Sequence, residues 1–145
     1  DSEESKAFNT QDGFGLRLLR EAGIDVGLIT ARKSAVVARR ADELKMRYVY
    51  QDMPNKNEAL KNIMKVSGLR PFEIAYMGDD WLDLVLLRQV GLAIAPANAR
   101  PIVKEYAHTV TYASGGHGAV REAIELILAA QGKLEAAYAP YLDPK

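Results

Sequence analysis

Residues Glu73–Leu84 read EIAYMGDDWLDL. A short apolar run, Glu73–Met77, is followed by Gly78 and the paired carboxylates Asp79 and Asp80, and then by a helical stretch. This order sets acidic groups just past the carboxyl end of a strand. Working outward, the same kind of run recurs at Asp25–Thr30 (DVGLIT), Met46–Tyr50 (MRYVY), Gly91–Ala95 (GLAIA) and Ala107–Thr111 (AHTVT). Short strands that are apolar throughout suit a parallel sheet buried on both faces. Helical stretches lie between and around them, near Gly13–Glu21, Ser34–Leu44, Asn57–Ser67, Asp80–Gln89 and Ala119–Gln131. In the second, Val36, Val37, Ala41 and Leu44 recur at helical spacing. Alternation of strand and helix predicts an α/β fold with a mainly parallel sheet.

Punctuation supports this reading. Gly23, Gly68 and Gly91 follow helices, where a residue at positive φ commonly ends them. Asp12 and Ser34 stand where helix N-caps are expected. The ending AYAPYLDPK reads as an extended tail within residues 132–145. No repeat, linker or low-complexity tract divides the chain, so residues 1–145 are expected to form a single domain.

The counts narrow the function classes. With 145 residues, 48% apolar and 26% charged, the chain can bury an ordinary core and is not intrinsically disordered. Its 19 basic and 19 acidic residues cancel, so no global field draws in nucleic acid or an anionic membrane. An anionic ligand must instead be held by local Arg, Lys and backbone N–H groups. The absence of Cys excludes disulfides, zinc–thiolate sites and a thiol nucleophile. No apolar run is long enough for a membrane span, and DSEESK is no signal peptide. A soluble, cytoplasmic chain is the expectation.

In sheets of this kind, ligands bind beyond the carboxyl ends of the strands. There the chain offers Thr30 with Arg32, then Gln51 to Lys56, then Gly78, Asp79 and Asp80. A hydroxyl, an ammonium and paired carboxylates suit phosphoryl transfer. Carboxylates hold a hard cation such as Mg²⁺, while the Lys and the hydroxyl neutralise phosphoryl oxygens. This set contains no nucleophile.

The order Thr30, Lys56, Asp79–Asp80 does not fit receiver domains, which place acidic residues first. It resembles the haloacid dehalogenase superfamily of phosphatases, whose order is Asp-x-Asp, Thr/Ser, Lys, acidic pair. The segments FNTQDGFGLRLL, GLITARK, YQDMPNKNEAL, AYMGDDWLDL and GGHGAVREAIELILAAQGKL further resemble, in order and spacing, the 3-deoxy-manno-octulosonate 8-phosphate (KDO 8-phosphate) phosphatase family. The resemblance implies a Rossmann-like three-layer sandwich without a large cap. It also implies Mg²⁺-dependent hydrolysis of a small sugar phosphate through an aspartyl-phosphate, and a homotetramer joined by hairpins.

By the same resemblance, Thr30 is the phosphate-binding hydroxyl, Lys56 the phosphate clamp and Asp79 the Mg²⁺ ligand, with Asp80 orienting the metal's surroundings. Asn9, Thr10, Gln11, Asp12 and Gly13, with Arg17, Arg32 and Arg40, match positions that contact the sugar phosphate. Ala31 stands where the family usually has Gly. The family's Asp-x-Asp strand, with its nucleophile and acid/base, is expected ahead of Asp1, at the centre of the sheet between the strands ending at Thr30 and Met77. Residues 1–9 resemble the remnant of an oligomerisation hairpin, and the 145 residues alone are not expected to be the working enzyme. Related readings are a phosphatase of nine-carbon keto-acid phosphates, disfavoured by Arg32, and a non-catalytic oligomerisation domain such as accompanies some sialic-acid cytidylyltransferases.

Other residues read as structural. Asp83 is expected on a helix face or behind the metal site, and His108 as a packed or edge side chain. His117 is expected in a flexible Gly loop ahead of a helix, and Trp81 as a packing residue. Replacing Lys56 is expected to cost little stability, as a strand-end Lys buries little area.

Overall fold

The computed structural model describes residues 10–144. Asn9, the remnant expected over residues 1–9, and Lys145 lie outside them. Helix α1 (Thr10–Glu21) precedes β1 (Gly27–Ile29), α2 (Ala35–Glu43), β2 (Tyr48–Tyr50) and α3 (Lys56–Ser67). A 3-10 turn at Pro71–Glu73 leads into β3 (Ala75–Met77). A second 3-10 turn at Trp81–Asp83 runs into the short α4 (Leu84–Leu87). Then come β4 (Leu92–Ala95), α5 (Pro101–Tyr106), β5 (Thr109–Val110), α6 (Ala119–Ala130) and α7 (Leu134–Tyr138).

Every strand falls inside one of the expected runs, and every ladder is parallel. The strands form two sheets, β1-β2 and β3-β4-β5. In the first, Gly27 pairs with Tyr48 and Ile29 with Tyr50. In the second, Ala75 pairs with Leu92, and Ile94 with Thr109. Pairing outlasts the ladders, since Arg47 N–H donates to Val26 O at 2.8 Å and Thr30 N–H to Tyr50 O at 2.9 Å. Among the described residues, β1 and β3 do not pair with each other. The break falls at the place where the resemblance sets the Asp-x-Asp strand.

Three apolar clusters hold the molecule. Leu18 and Leu19 of α1 meet Ile124 and Leu128 of α6. Leu87, Val90, Ala93, Ala95 and Val103 fill the space between β4 and the α4 and α5 helices. The third cluster spans both sheets: Ile29 of β1, Ala59 and Leu60 of α3, and Leu86 of α4, with Ile74 and Tyr76 of the β3 segment against them. Leu60, 1% exposed, contributes about 1.5–3 kcal/mol by its burial. α3 therefore fastens the carboxyl ends of β1 and β3 into one body. No helix among the described residues is long and apolar enough to cross a membrane.

Several expectations are corrected. Helix α5 was not expected; Pro101 at its start supplies the missing start signal. The helix expected over Asp80–Gln89 is broken into a 3-10 turn and four residues of α-helix. The tail is not extended: Leu134 and Ala137 of α7 pack against the α1–α6 core, and Tyr141 meets Phe14 edge-on at 5.5 Å. An apolar face of Leu134 and Ala137, partly buried against α1 and α6, outweighs the Pro and Tyr content that suggested extension. Gly23 and Gly68 do end helices at positive φ, 84° and 77°. Gly91 does not, and is required instead because a Cβ there would lie 2.1 Å from Phe72 O.

Two polar residues also differ from expectation. Trp81 is 67% exposed rather than packed. Asp12 is not the cap of its own helix but lies in its first turn, and its carboxylate accepts from Arg121 N–H at 2.9 Å. That bond serves the start of α6, whose N-cap is Gly118 and so has no side chain to do it. Ser34 caps α2 as expected, accepting from Val37 N–H at 3.2 Å.

Candidate active site

The site is assembled around a residue that the sequence placed only in a supporting role. Asp83 is 3% exposed and forms the end of the turn after β3. One carboxylate oxygen, Oδ1, accepts from Lys56 Nζ at 2.6 Å and from Tyr76 O–H at 2.5 Å. The other, Oδ2, accepts from the backbone N–H groups of Asp79 at 2.9 Å and Asp80 at 3.1 Å. Lys56 Nζ also donates to Tyr76 Oη at 3.3 Å. One buried carboxylate thus joins the start of α3, the strand β3 and the acidic loop behind it.

Gly78 makes this possible. A Cβ at that position would sit 2.3 Å from Asp83 Cβ, closer than any real contact. The glycine in Gly78-Asp79-Asp80 is needed for close approach of Asp83, rather than for an unusual backbone angle. Asp80 N-caps the turn, its Oδ1 accepting from Trp81 N–H at 2.7 Å.

Electrostatics follow from this geometry. Burial alone would push the Asp83 carboxyl up, but hydrogen bonds from Lys56 and Tyr76 and the Lys56 charge hold it below the ordinary range. The Tyr76 hydroxyl is pushed far up, chiefly by burial and then by the Asp83 charge and hydrogen bond, so it stays a donor. The Asp79 carboxyl is raised by burial first and then by the charges of Asp83 and Asp80, with Lys56 only partly offsetting them.

Three carboxylates against one ammonium leave an excess of negative charge, to which a divalent cation is complementary. The donors are all oxygen, the chemistry that Mg²⁺ requires. Asp83 and Asp80 are committed to the turn, so Asp79 at the exposed rim is the carboxylate suited to the metal. Among the described residues, no cluster of three metal-binding side chains surrounds one point. Mg²⁺ characteristically takes one or two carboxylates and completes its shell with water and phosphate oxygens. The residues present fit such a site.

The other expected residues are arranged around β1 and α1. Thr30 follows β1, and its hydroxyl accepts from Arg32 N–H at 3.3 Å. The turn is held to the end of β2 through Ser34 N–H, which donates to Gln51 Oε1 at 2.7 Å, and Asp52 N–H, which donates to Arg32 O at 3.0 Å. Arg32 itself is exposed. The Arg40 guanidinium lies against Gly13, where a Cβ would meet Nη2 at 2.6 Å. Gly13 and Arg40, far apart in sequence, are thereby brought together. Thr10 and Gln11 begin α1. Arg17 turns along its own helix to Glu21 at 3.0 Å.

The structure therefore gathers Lys56, Asp79 and Asp80 with two residues not chosen from sequence, Tyr76 and Asp83. The four-residue interval from Asp79 to Asp83 was visible, but only the turn shows that Asp83 folds back beneath Gly78. His108 is structural as expected, its Nδ1 accepting from Ala93 N–H at 2.8 Å. His117 is exposed in the glycine loop before α6.

A parallel α/β body with an Asp79 rim and a buried Lys–Asp pair at its strand ends defines a class. Residues 36–124 match the haloacid dehalogenase-like hydrolase family, and the chain belongs to it. Its particular likeness is to the KDO 8-phosphate phosphatases. It is 44% identical over 135 residues to the 3-deoxy-D-manno-octulosonate 8-phosphate phosphatase KdsC of Yersinia pestis, covering 93% of this chain and 72% of that relative. A crystal structure of a probable YrbI family phosphatase from Pseudomonas syringae is 44% identical, with a TM-score of 0.97 over 99% of this chain and 81% of the other. The phosphatase of Moraxella catarrhalis, solved in complex with magnesium, phosphate and KDO, is 40% identical, with a TM-score of 0.93 over 95% of this chain and 79% of its own.

Proposed function

We propose that this protein hydrolyses the phosphate monoester KDO 8-phosphate to KDO and inorganic phosphate, with Mg²⁺. The observation that carries the reading is the Lys56 ammonium, fixed by a buried Asp83 beside Asp79 at the carboxyl end of β3, in a chain so similar to phosphatases of this substrate.

Each residue has a definable task. An ammonium has three N–H donors. Two of those on Lys56 go to Asp83 and Tyr76, which leaves the third for a phosphoryl oxygen. Held in place beforehand, that charge stabilises the negative charge that moves onto the phosphoryl and leaving oxygens. Thr30, at the end of β1, offers its hydroxyl to another phosphoryl oxygen. Asp79 would hold Mg²⁺, which when bound neutralises phosphate charge and shields the substrate from the carboxylates. Asp80 keeps the acidic turn in shape. Arg32, and Arg40 against Gly13, would read the sugar acid's carboxylate and hydroxyls. Attack and proton transfer belong to the Asp-x-Asp strand that the resemblance implies.

The same reading extends to a homotetramer working in the cytoplasm on lipopolysaccharide precursors. It rests on the resemblance to this family of phosphatases, to one of which the chain is 44% identical. The test is phosphate release from KDO 8-phosphate, a nine-carbon keto-acid 9-phosphate and simple hexose phosphates, with Mg²⁺ and with chelator. Preference for KDO 8-phosphate that vanishes with chelator is expected. Preference for the nine-carbon ester moves the substrate assignment, and release from none removes the function.

A further inference from the structure

Tyr76 is a half-buried phenol at the site, so far named only as a partner of Lys56 and Asp83. It is the middle residue of β3, paired in register with Ala93 of β4. It packs against two of the core clusters. Packing alone would be served by Phe. The hydroxyl is therefore the part that needs explaining, and it makes two contacts within the group around Lys56: it donates to Asp83 Oδ1 and accepts from Lys56 Nζ.

Those contacts close a triangle. Asp83 Oδ2 is held by the backbone of Asp79 and Asp80, but without Tyr76 its Oδ1 would have Lys56 as its single partner among the described residues. A flexible Lys with one partner can swing about it and settle onto the carboxylate. A second, angled contact removes that freedom.

We propose that Tyr76 is a positioning residue for phosphate-ester hydrolysis, its hydroxyl fixing the Lys56 ammonium so that the remaining N–H faces the phosphoryl group. This rests on the reading of the site as a phosphatase centre but not on the identity of the sugar. Because Lys56 acts most strongly on the charge of the transition state, the loss falls on kcat more than on KM.

A double-mutant cycle in the complete protein tests it. Tyr76→Phe is expected to lower kcat about tenfold, the effect of one lost hydrogen bond to a charged group, with KM changed less than about twofold. In a Lys56→Met background the same substitution is expected to change nothing further. Orthovanadate affinity by calorimetry supplies the same cycle without turnover, and thermal melting checks that each variant is folded. Unchanged kcat in Tyr76→Phe overturns the proposal, as does an equal loss with and without Lys56, the mark of a merely structural role. Running KDO 8-phosphate beside p-nitrophenyl phosphate separates the two readings. Hydrolysis of the nitrophenyl ester alone removes the sugar assignment and leaves the cycle readable; hydrolysis of neither removes both.

Discussion

The end of β3 and the end of β1 carry the two halves of the proposed site in opposite ways. At β3, Asp83 is 3% exposed and accepts four hydrogen bonds, and Gly78 has no room even for a methyl group. At β1, Thr30 and Arg32 sit in a turn fixed mostly through its backbone, and Arg32 is exposed. The first half is assembled before substrate arrives, as groups that act on developing charge must be. On the same proposal the second half is the more exposed one, as suits groups that would read a sugar acid. On the proposed reading, the contrast separates chemistry from selectivity between the strand ends of the two sheets.

The sharpest way to break this contrast is to remove its hub. Asp83→Ala strips Lys56 and Tyr76 of their shared partner and should abolish phosphatase activity, by at least about a hundredfold. Losing one member of a buried pair should also cost about 3 kcal/mol or more, seen as a lower urea midpoint. Lys56→Ala should do nearly the same to both quantities, because the Lys56 side chain is only 12% exposed against an Asp83 at 4%. The expectation of little lost stability at Lys56 thus gives way to a substantial one. Retention of parental stability by both variants would show that the β3 half is not preassembled.

A test of the β1 half comes next. Arg32→Glu should leave the urea midpoint unchanged, the side chain being exposed. It should raise KM for KDO 8-phosphate by about tenfold or more, through repulsion of an anionic substrate. Unaltered kcat/KM would take Arg32 out of the site. Asp79→Asn should weaken Mg²⁺ binding by calorimetry while the fold persists, since it removes one anionic oxygen and keeps the shape.

Acid should distinguish the halves as well. Asp83 has a carboxyl held below the ordinary range. Its stabilising effect is therefore complete above the unfolded value of about 4 and fades as pH falls through its folded value. The urea midpoint of the parent should exceed that of Asp83→Asn at pH 7, and the gap should narrow toward pH 3. A constant gap would mean that the charge on Asp83 is irrelevant to stability. The smallest effect is expected for Arg17→Ala, which breaks an exposed pair with Glu21 and should leave the melting temperature unmoved. An increased KM in that variant would bring Arg17 into the substrate site.

Much of this was legible in the sequence. Runs such as Glu73–Met77 and Gly91–Ala95 announce parallel strands because buried strands need apolar side chains on both faces. Thr30, Lys56 and Asp79 stand at the ends of elements, and their order along the chain carries the resemblance. The shortness of α4, the helix at Pro101 and the folding of the tail onto α1 were not legible. Local patterns of a few residues cannot report which surface is there to bury them.

By itself, then, the sequence determined the α/β class, the strand positions, the caps at Ser34 and Gly68, and the family to which Lys56 and Asp79 point. Local propensity and periodicity act between near neighbours, and the sequence states those directly. The tertiary structure alone decided that Asp83 is the hub, that Tyr76 shares it with Lys56, that Asp12 serves α6, and that Gly13 lies against Arg40. These contacts join residues up to 109 positions apart, as Asp12 and Arg121 are. Hydrogen bonding and close packing depend on distance in space, which exists only once α3 has drawn both sheets onto a common core.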